Sequence, residues 1–308
     1  MDMTTAIKRT FEIQTGHKLH SICRFDNAAN NQVFKIETEA QPYIFKIYAN
    51  RDWPEDGKLP FVARKLDEYQ MPHSKLFAFN REDDMFPNGY LIEECLPGIT
   101  ADRLTLSNDE TLSLFEKLAV LVSRVHQITL TNYGYIGNGI ADWRTFSKFI
   151  YDMFDDCTTN LRKQNTMDTS YLHAIRTKLY NKLKDCDRYP PVICHGDLST
   201  KNILVHSDKI VLIDWDDAQA LCWMADIARL TLWLKLNYGS QAAAVYRKVF
   251  LDCYETSYDK SAFDDLEYYL HVWYGLDYLN FAVATPNYQY QSETVKAILD
   301  NALMHCGM

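Results

Sequence analysis

The segment Val192-Ile-Cys-His-Gly-Asp-Leu-Ser-Thr-Lys-Asn-Ile-Leu-Val205, with Ile213-Asp214-Trp215-Asp216 after it, constrains the fold more than any other part of the chain. Residues 203–205 and 210–213 are strand-like runs, and residues 206–209 between them form a tight turn. Asp214 follows Asn202 by twelve residues and stands at the end of the second run. A carboxamide before one strand and a carboxylate at the end of the next can converge on one divalent cation. Two hard oxygen donors suit Mg²⁺. Alone, Asp197 reads as a turn aspartate and Asn202 as a strand-start cap. At this joint spacing, with Asp214, the three read as a site.

Around this segment the chain changes character. Residues 1–14 fit a short helix. Residues 32–37 and 43–48 are rich in β-branched and aromatic residues and are separated by a turn at 38–42, a hairpin signal. Residues 55–70 can form a helix, with Gly57 and Pro60 at its start, and residues 76–79 and 90–94 are further strand candidates. After Pro97-Gly98 the pattern becomes helical. Ser107 and Glu110 have capping-box spacing, and helical stretches follow at 143–163, 169–183, 223–237, 241–258, 263–283 and 292–305. The expectation is an α+β, bilobal protein: a small β-rich lobe over 1–95 and a larger helical lobe over 96–308. A length of 308 residues accommodates this, at about 100–200 residues per domain.

The charge balance narrows the partners. With 32 Lys plus Arg against 41 Asp plus Glu, the net charge is −9, which disfavours sequence-independent nucleic-acid binding and favours a small or cationic ligand. The eight cysteines are scattered, with no C-x-x-C pair. They read as reduced core residues rather than a zinc or disulfide framework. No apolar leader begins the sequence and no 18-residue apolar run occurs, so the expectation is a cytoplasmic protein that does not engage a membrane.

His195, Asp197 and Asn202 match the phosphotransfer catalytic-loop pattern H-x-D-x-x-x-x-N. Lys46 lies in a candidate strand whose period places Ile44, Lys46 and Tyr48 on one face, where a lysine could reach nucleotide phosphates. Lys35 in the preceding strand is its rival. Only eleven residues separate Asp214 from Asp226. That interval is too short for the peptide-docking segment of a protein kinase and carries no Ala-Pro-Glu. Small hydroxylated acceptors are therefore expected. Residues 253–308 hold eight acids, two Lys plus Arg and eleven aromatics. Glu267, Tyr274 and Tyr278, with Asp216, are candidate contacts for a cationic substrate through charge and cation–π attraction.

The chain resembles the aminoglycoside phosphotransferase and choline kinase family, small-molecule kinases of protein-kinase-like fold. His-Gly-Asp-Leu-Ser-Thr-Lys-Asn at 195–202 and Ile-Asp-Trp-Asp-Asp-Ala at 213–218 carry the resemblance. Asn31-Gln-Val-Phe-Lys-Ile, Leu91-Ile-Glu-Glu-Cys-Leu-Pro-Gly98, the 118–126 segment ending in His126, and Asp226-Ile-Ala support it. The resemblance implies Asp197 as catalytic base and Asn202 and Asp214 as Mg²⁺ ligands. It implies Lys46 on the phosphates of ATP or GTP, with Asn31 in the nucleotide-covering strand. Backbone groups at Glu93, Glu94 and Cys95 would meet the base, and His195 and Asp226 would brace the catalytic loop. Two departures stand out. Residues 23–32 contain no glycine, leaving Asn27, Asn30 and Asn31 to shape a phosphate-covering loop. The helix glutamate that should pair with Lys46 is unassigned, Glu55 being the nearest and Glu68 farther along. A small-molecule kinase is the leading reading. An inactive nucleotide-binding scaffold and a protein kinase are the alternatives, and oligomeric state is open.

Overall fold

The computed structural model describes residues 2–25, 31–285 and 288–308. In chain order its elements begin with α1 (Met3–Thr15), β1 (Ser21–Arg24), β2 (Gln32–Glu37), β3 (Tyr43–Ile47), α2 (Lys58–Glu68), β4 (Leu76–Asn80), β5 (Tyr90–Glu94) and β6 (Ile99–Thr100). There follow α3 (Asn108–Val125), β7 (Gly134–Tyr135), α4 (Phe146–Cys157), α5 (Thr159–Lys163), α6 (Thr169–Leu183), β8 (Val192–Cys194), β9 (Ile203–His206) and β10 (Lys209–Leu212). The chain ends with β11 (Gln219–Leu221), α7 (Trp223–Cys253), α8 (Ser261–Ala284) and α9 (Ser292–His305). Two compact units result, one of Met1–Leu104, Ile136–Ile140 and Thr200–Ala218, the other of Thr105–Tyr135, Ala141–Ser199 and Gln219–Met308.

The first unit is built on an antiparallel five-stranded sheet of order β1-β2-β3-β5-β4. Strand period two sorts its faces. Phe34 and Ile36 of β2, Tyr43, Phe45 and Ile47 of β3, and Tyr90 and Ile92 of β5 point into one core, closed by Ala6, Ile7 and Phe11 of α1. The alternate residues Ile44 and Lys46 of β3, and Leu91 and Glu93 of β5, share the other face. Lys46 is registered against Leu91 and Ile44 against Glu93. The hairpin of β9 and β10 is also in this unit, with β6 on its edge. Both hairpins expected from the sequence are present.

The second unit holds α3 to α9 and the small sheet β7-β11-β8. The Ser107–Glu110 capping box that opens α3 is formed in both directions. Helices α6 and α9 occupy the expected 169–183 and 292–305. The expected 143–163 helix is interrupted at Thr158, whose φ of −122° leaves the helical range while its hydroxyl donates to the Phe154 carbonyl. The two helices expected at 223–237 and 241–258 form one run, broken at Gly239, where φ 75° and ψ 165° suit a residue without Cβ. All eight cysteines are free, and among the described residues no helix is long and apolar enough to cross a membrane.

Candidate active site

Lys46 is nearly fully buried in the first unit. Its Nζ donates to Asp214 Oδ1 at 2.8 Å and to Asp216 Oδ2 at 3.0 Å. Burial opposes the ammonium charge, but Asp214 and Asp216 outweigh it and raise the Lys46 pKa well above the ordinary lysine value. Burial pushes the Asp216 carboxyl up to about 6, against the pull of Lys46. Glu93, one strand away on the same face, is pushed up to about 7. Burial is again the main cause, with Asp214 and Asp216 adding to it and Lys46 opposing it. Lys46, Glu93, Asp214 and Asp216 share a pocket walled by Leu59 and Val62 of α2.

Asp214 sits in the left-handed region, with φ 63° and ψ 67°, at the turn after β10. A non-glycine residue there is held by its surroundings at a cost of about 1–3 kcal/mol. The Ile213 amide donates to the Asn202 carbonyl at 3.0 Å, tying the start of one strand to the end of the other. That bond joins the two ends of the β9–β10 hairpin, Asn202 before it and Ile213 after it. Asp214 and Asn202 each carry a side-chain oxygen donor, and the Asp214 side chain is 46% exposed. These residues fit Mg²⁺.

In the second unit, β8 runs into His195-Gly-Asp197. The turn is fixed from below by Asp226, at the start of α7. Asp226 Oδ2 accepts from the His195 amide at 2.9 Å and Oδ1 from the Gly196 amide at 3.0 Å. His126, ending α3, lies 3.2 Å from Asp226 Oδ2 through Nε2, and its Nδ1 is 2.7 Å from the Tyr254 hydroxyl. Burial opposes the Asp226 charge. The His126 bond and charge, His195 and the Gly196 amide still hold its pKa below the usual carboxylate value. Gly196 has φ 80°, where a side chain would strain the turn. The Asp197 amide donates to His195 Nδ1 at 3.2 Å, so the buried imidazole acts as a brace. The Asp197 side chain is 38% exposed and lies 3.9 Å from Arg229 of α7. The Arg229 guanidinium lies over the rings of Tyr274 and Tyr278 of α8, at 5.5 and 5.6 Å.

Several expectations need correction. Asp216 faces Lys46 instead of an acceptor substrate. Glu267 is buried, with Oε2 accepting from Arg247 Nε at 2.8 Å, because α7 brings a cation against it. Tyr274 and Tyr278 do lie near Asp197, but their faces already hold Arg229. Asn31 Oδ1 accepts from the Ala49 amide at 3.1 Å, which clasps the loop before β2 to the chain after β3. Asn27 and Asn30 lie outside the described residues. The amides of Glu94 and Cys95, two of the backbone groups expected to meet a base, donate to the Lys75 and Pro42 carbonyls at 2.8 and 3.2 Å. Glu55 pairs with Lys58, and Glu68 with Arg64 and Lys65, so neither reaches Lys46. Lys35 pairs with Glu37 at the surface, which removes it as the rival lysine.

Sequence reasoning missed Tyr48, Lys58 and Arg229. Tyr48 was findable, since it shares the Lys46 face by strand period. Lys58 and Arg229 carry no local signal. They matter through partners at distant sequence positions.

A buried strand lysine on two acids and a catalytic loop clamped by a helix-start aspartate define a phosphotransferase of protein-kinase-like fold. The phosphotransferase enzyme family matches residues 21–263, and the chain belongs to that family. No curated protein sequence matches it. Among solved structures it is similar to a thermostable mutant of aminoglycoside phosphotransferase APH(4)-Ia in ternary complex with ADP and hygromycin B. The TM-score is 0.74 at 15% identity, over 97% of this chain and 98% of that one. It is also similar to aminoglycoside phosphotransferase APH(2")-IIa in complex with streptomycin and ATP, with TM-score 0.66 at 14% identity over 99% and 97%. A candidate fructosamine-3-kinase from Thermobifida fusca YX-ER1 aligns with TM-score 0.67 at 16% identity, over 96% of each chain.

Proposed function

We propose that the protein transfers the γ-phosphate of ATP or GTP to a hydroxyl of a small, hydroxylated, amine-bearing acceptor. The observation that carries this reading is the buried Lys46 ammonium aimed at Asp214 at 2.8 Å. The first unit takes the nucleotide: Lys46 meets the phosphates, and Asn202 and Asp214 hold Mg²⁺. The ion would supply charge neutralisation at the phosphates. Backbone groups of the Glu93–Cys95 segment meet the base.

The second unit takes the acceptor. Asp197 accepts the hydroxyl proton as the new O–P bond forms and the bond to the nucleoside diphosphate breaks. Clamping by Asp226 holds that carboxylate in place, so catalysis is mainly positioning. Similar folds in complex with hygromycin B and streptomycin favour an aminoglycoside-like acceptor, and a net charge of −9 attracts a cation. Nucleotide consumption, measured across aminoglycosides, aminoalcohols and homoserine with ATP and with GTP, tests the reading. Turnover with an amine-bearing alcohol is expected. Turnover only with a peptide substrate, or nucleotide binding without turnover on any acceptor, would overturn it.

A further inference from the structure

Lys46 is oriented without a helix glutamate. The acids of α2, and Glu55 before it, face elsewhere: Glu55 pairs with Lys58, Asp67 lies 3.6 Å from His73, and Glu68 pairs with Arg64 and Lys65. In their place stands Asp216. Its Oδ2 accepts from Lys46 Nζ at 3.0 Å, and its Oδ1 accepts from the Tyr48 hydroxyl at 3.2 Å. Lys46 is in β3 and Tyr48 directly follows that strand, two residues on, so one short stretch of chain grips both oxygens of one carboxylate. The main chain of Asp216 is held as well, because the fully buried Lys58 donates from Nζ to its carbonyl at 3.0 Å.

The two acids on Lys46 differ in access. The Asp214 side chain is 46% exposed and the Asp216 side chain 11%. A ligand entering the pocket therefore reaches Asp214 first. To reach Asp216 it would have to displace both Lys46 and Tyr48.

We propose that Asp216 is the positioning residue for Lys46, keeping its ammonium aimed while Asp214 is engaged by ligand, in the role that a helix glutamate would otherwise fill. The proposal rests on the nucleotide-binding reading of the first unit. It separates Asp216 from the metal ligands, although only Trp215 lies between it and Asp214.

An ATP acyl phosphate, which acylates a lysine held at the phosphates, reads the aim of Lys46 directly by peptide mass spectrometry on the full chain. In the wild type, Lys46 labelling competed away by ATP is expected. Asp216→Asn should lower labelling about tenfold, and Asp216→Glu should recover part of it. Tyr48→Phe removes one oxygen's partner without touching Lys46 and should lower labelling by about twofold to fivefold, so it carries the test if Asp216→Asn does not fold. In kinetics, Asp216→Asn should add no further loss of kcat/KM in a Lys46→Met background. The magnesium concentration for half-maximal rate should stay unchanged. Full Lys46 labelling in folded Asp216→Asn or Tyr48→Phe would overturn the proposal, as would additive losses or a raised magnesium requirement. Absence of ATP-competed labelling in the wild type is a different result: it overturns the nucleotide reading and this proposal with it.

Discussion

The cluster around Lys46 and the cluster around Asp226 solve the same problem by different means. In the first unit, charge holds charge: one ammonium sits between two carboxylates, and a third, Glu93, stands close by. In the second unit, one buried carboxylate is fastened to two backbone amides and a histidine, and Asp197, the proposed base, is left half-open. The first arrangement can adjust when a charged ligand enters, because ion pairs can exchange partners. The second cannot, because backbone amides stay where the fold puts them. A nucleotide site benefits from the former, and a proton acceptor that must meet a hydroxyl at a set distance benefits from the latter.

The largest effect should come from Asp197→Asn, which keeps the shape of the rigid cluster and removes its proton acceptor. Turnover should fall by a factor on the order of 10²–10⁴, with nucleotide affinity retained. Steady-state kinetics and nucleotide titration measure both. Unchanged turnover would take Asp197 out of the base role and leave the second cluster as scaffold.

Next, Asp226→Ala should cost about 3–5 kcal/mol in urea denaturation, since it strands two buried amides and His126. A cost under about 1 kcal/mol would erase the contrast between a rigid and an adjustable cluster. Because the Asp226 pKa is depressed in the folded state, its contribution is present above the ordinary aspartate pKa and is lost as pH falls through the folded value.

Glu93→Gln sharpens the charged side of the comparison. Glu93 has its pKa raised from 4.5 to about 7, so the folded state holds its proton more tightly. Wild-type stability should decline as pH rises from the lower value through the upper one. Glu93→Gln should flatten that decline. It should match wild type below pH ~4.5 and exceed it on the order of 2 kcal/mol near pH ~8, at about 1.4 kcal/mol per pKa unit less solvent screening. Urea melts at the two pH values decide, and parallel profiles would place Glu93 in a solvated setting.

The smallest effect belongs to Lys35→Ala. Its surface pair with Glu37 should contribute within about 1 kcal/mol, and nucleotide affinity should not change. A marked loss of nucleotide affinity would return Lys35 as rival to Lys46 and dissolve the first cluster as drawn.

Much of this was legible in the sequence because it depends on short-range order. Strand period two put Lys46 and Tyr48 on one face, and Ser107 with Glu110 started α3, since neighbours along the chain decide these features. The twelve-residue interval from Asn202 to Asp214 bounded where those side chains could go, because a tight hairpin has few geometries. Tertiary structure alone decided which partners meet. Nothing local distinguishes Asp216 on Lys46 from an acid facing substrate, Glu267 on Arg247 from a free carboxylate, or Arg229 beside Asp197 from a surface arginine. Those pairings join residues 20 to 170 positions apart. A charged side chain shows its preference for a partner locally, but which partner it finds depends on how the whole chain packs.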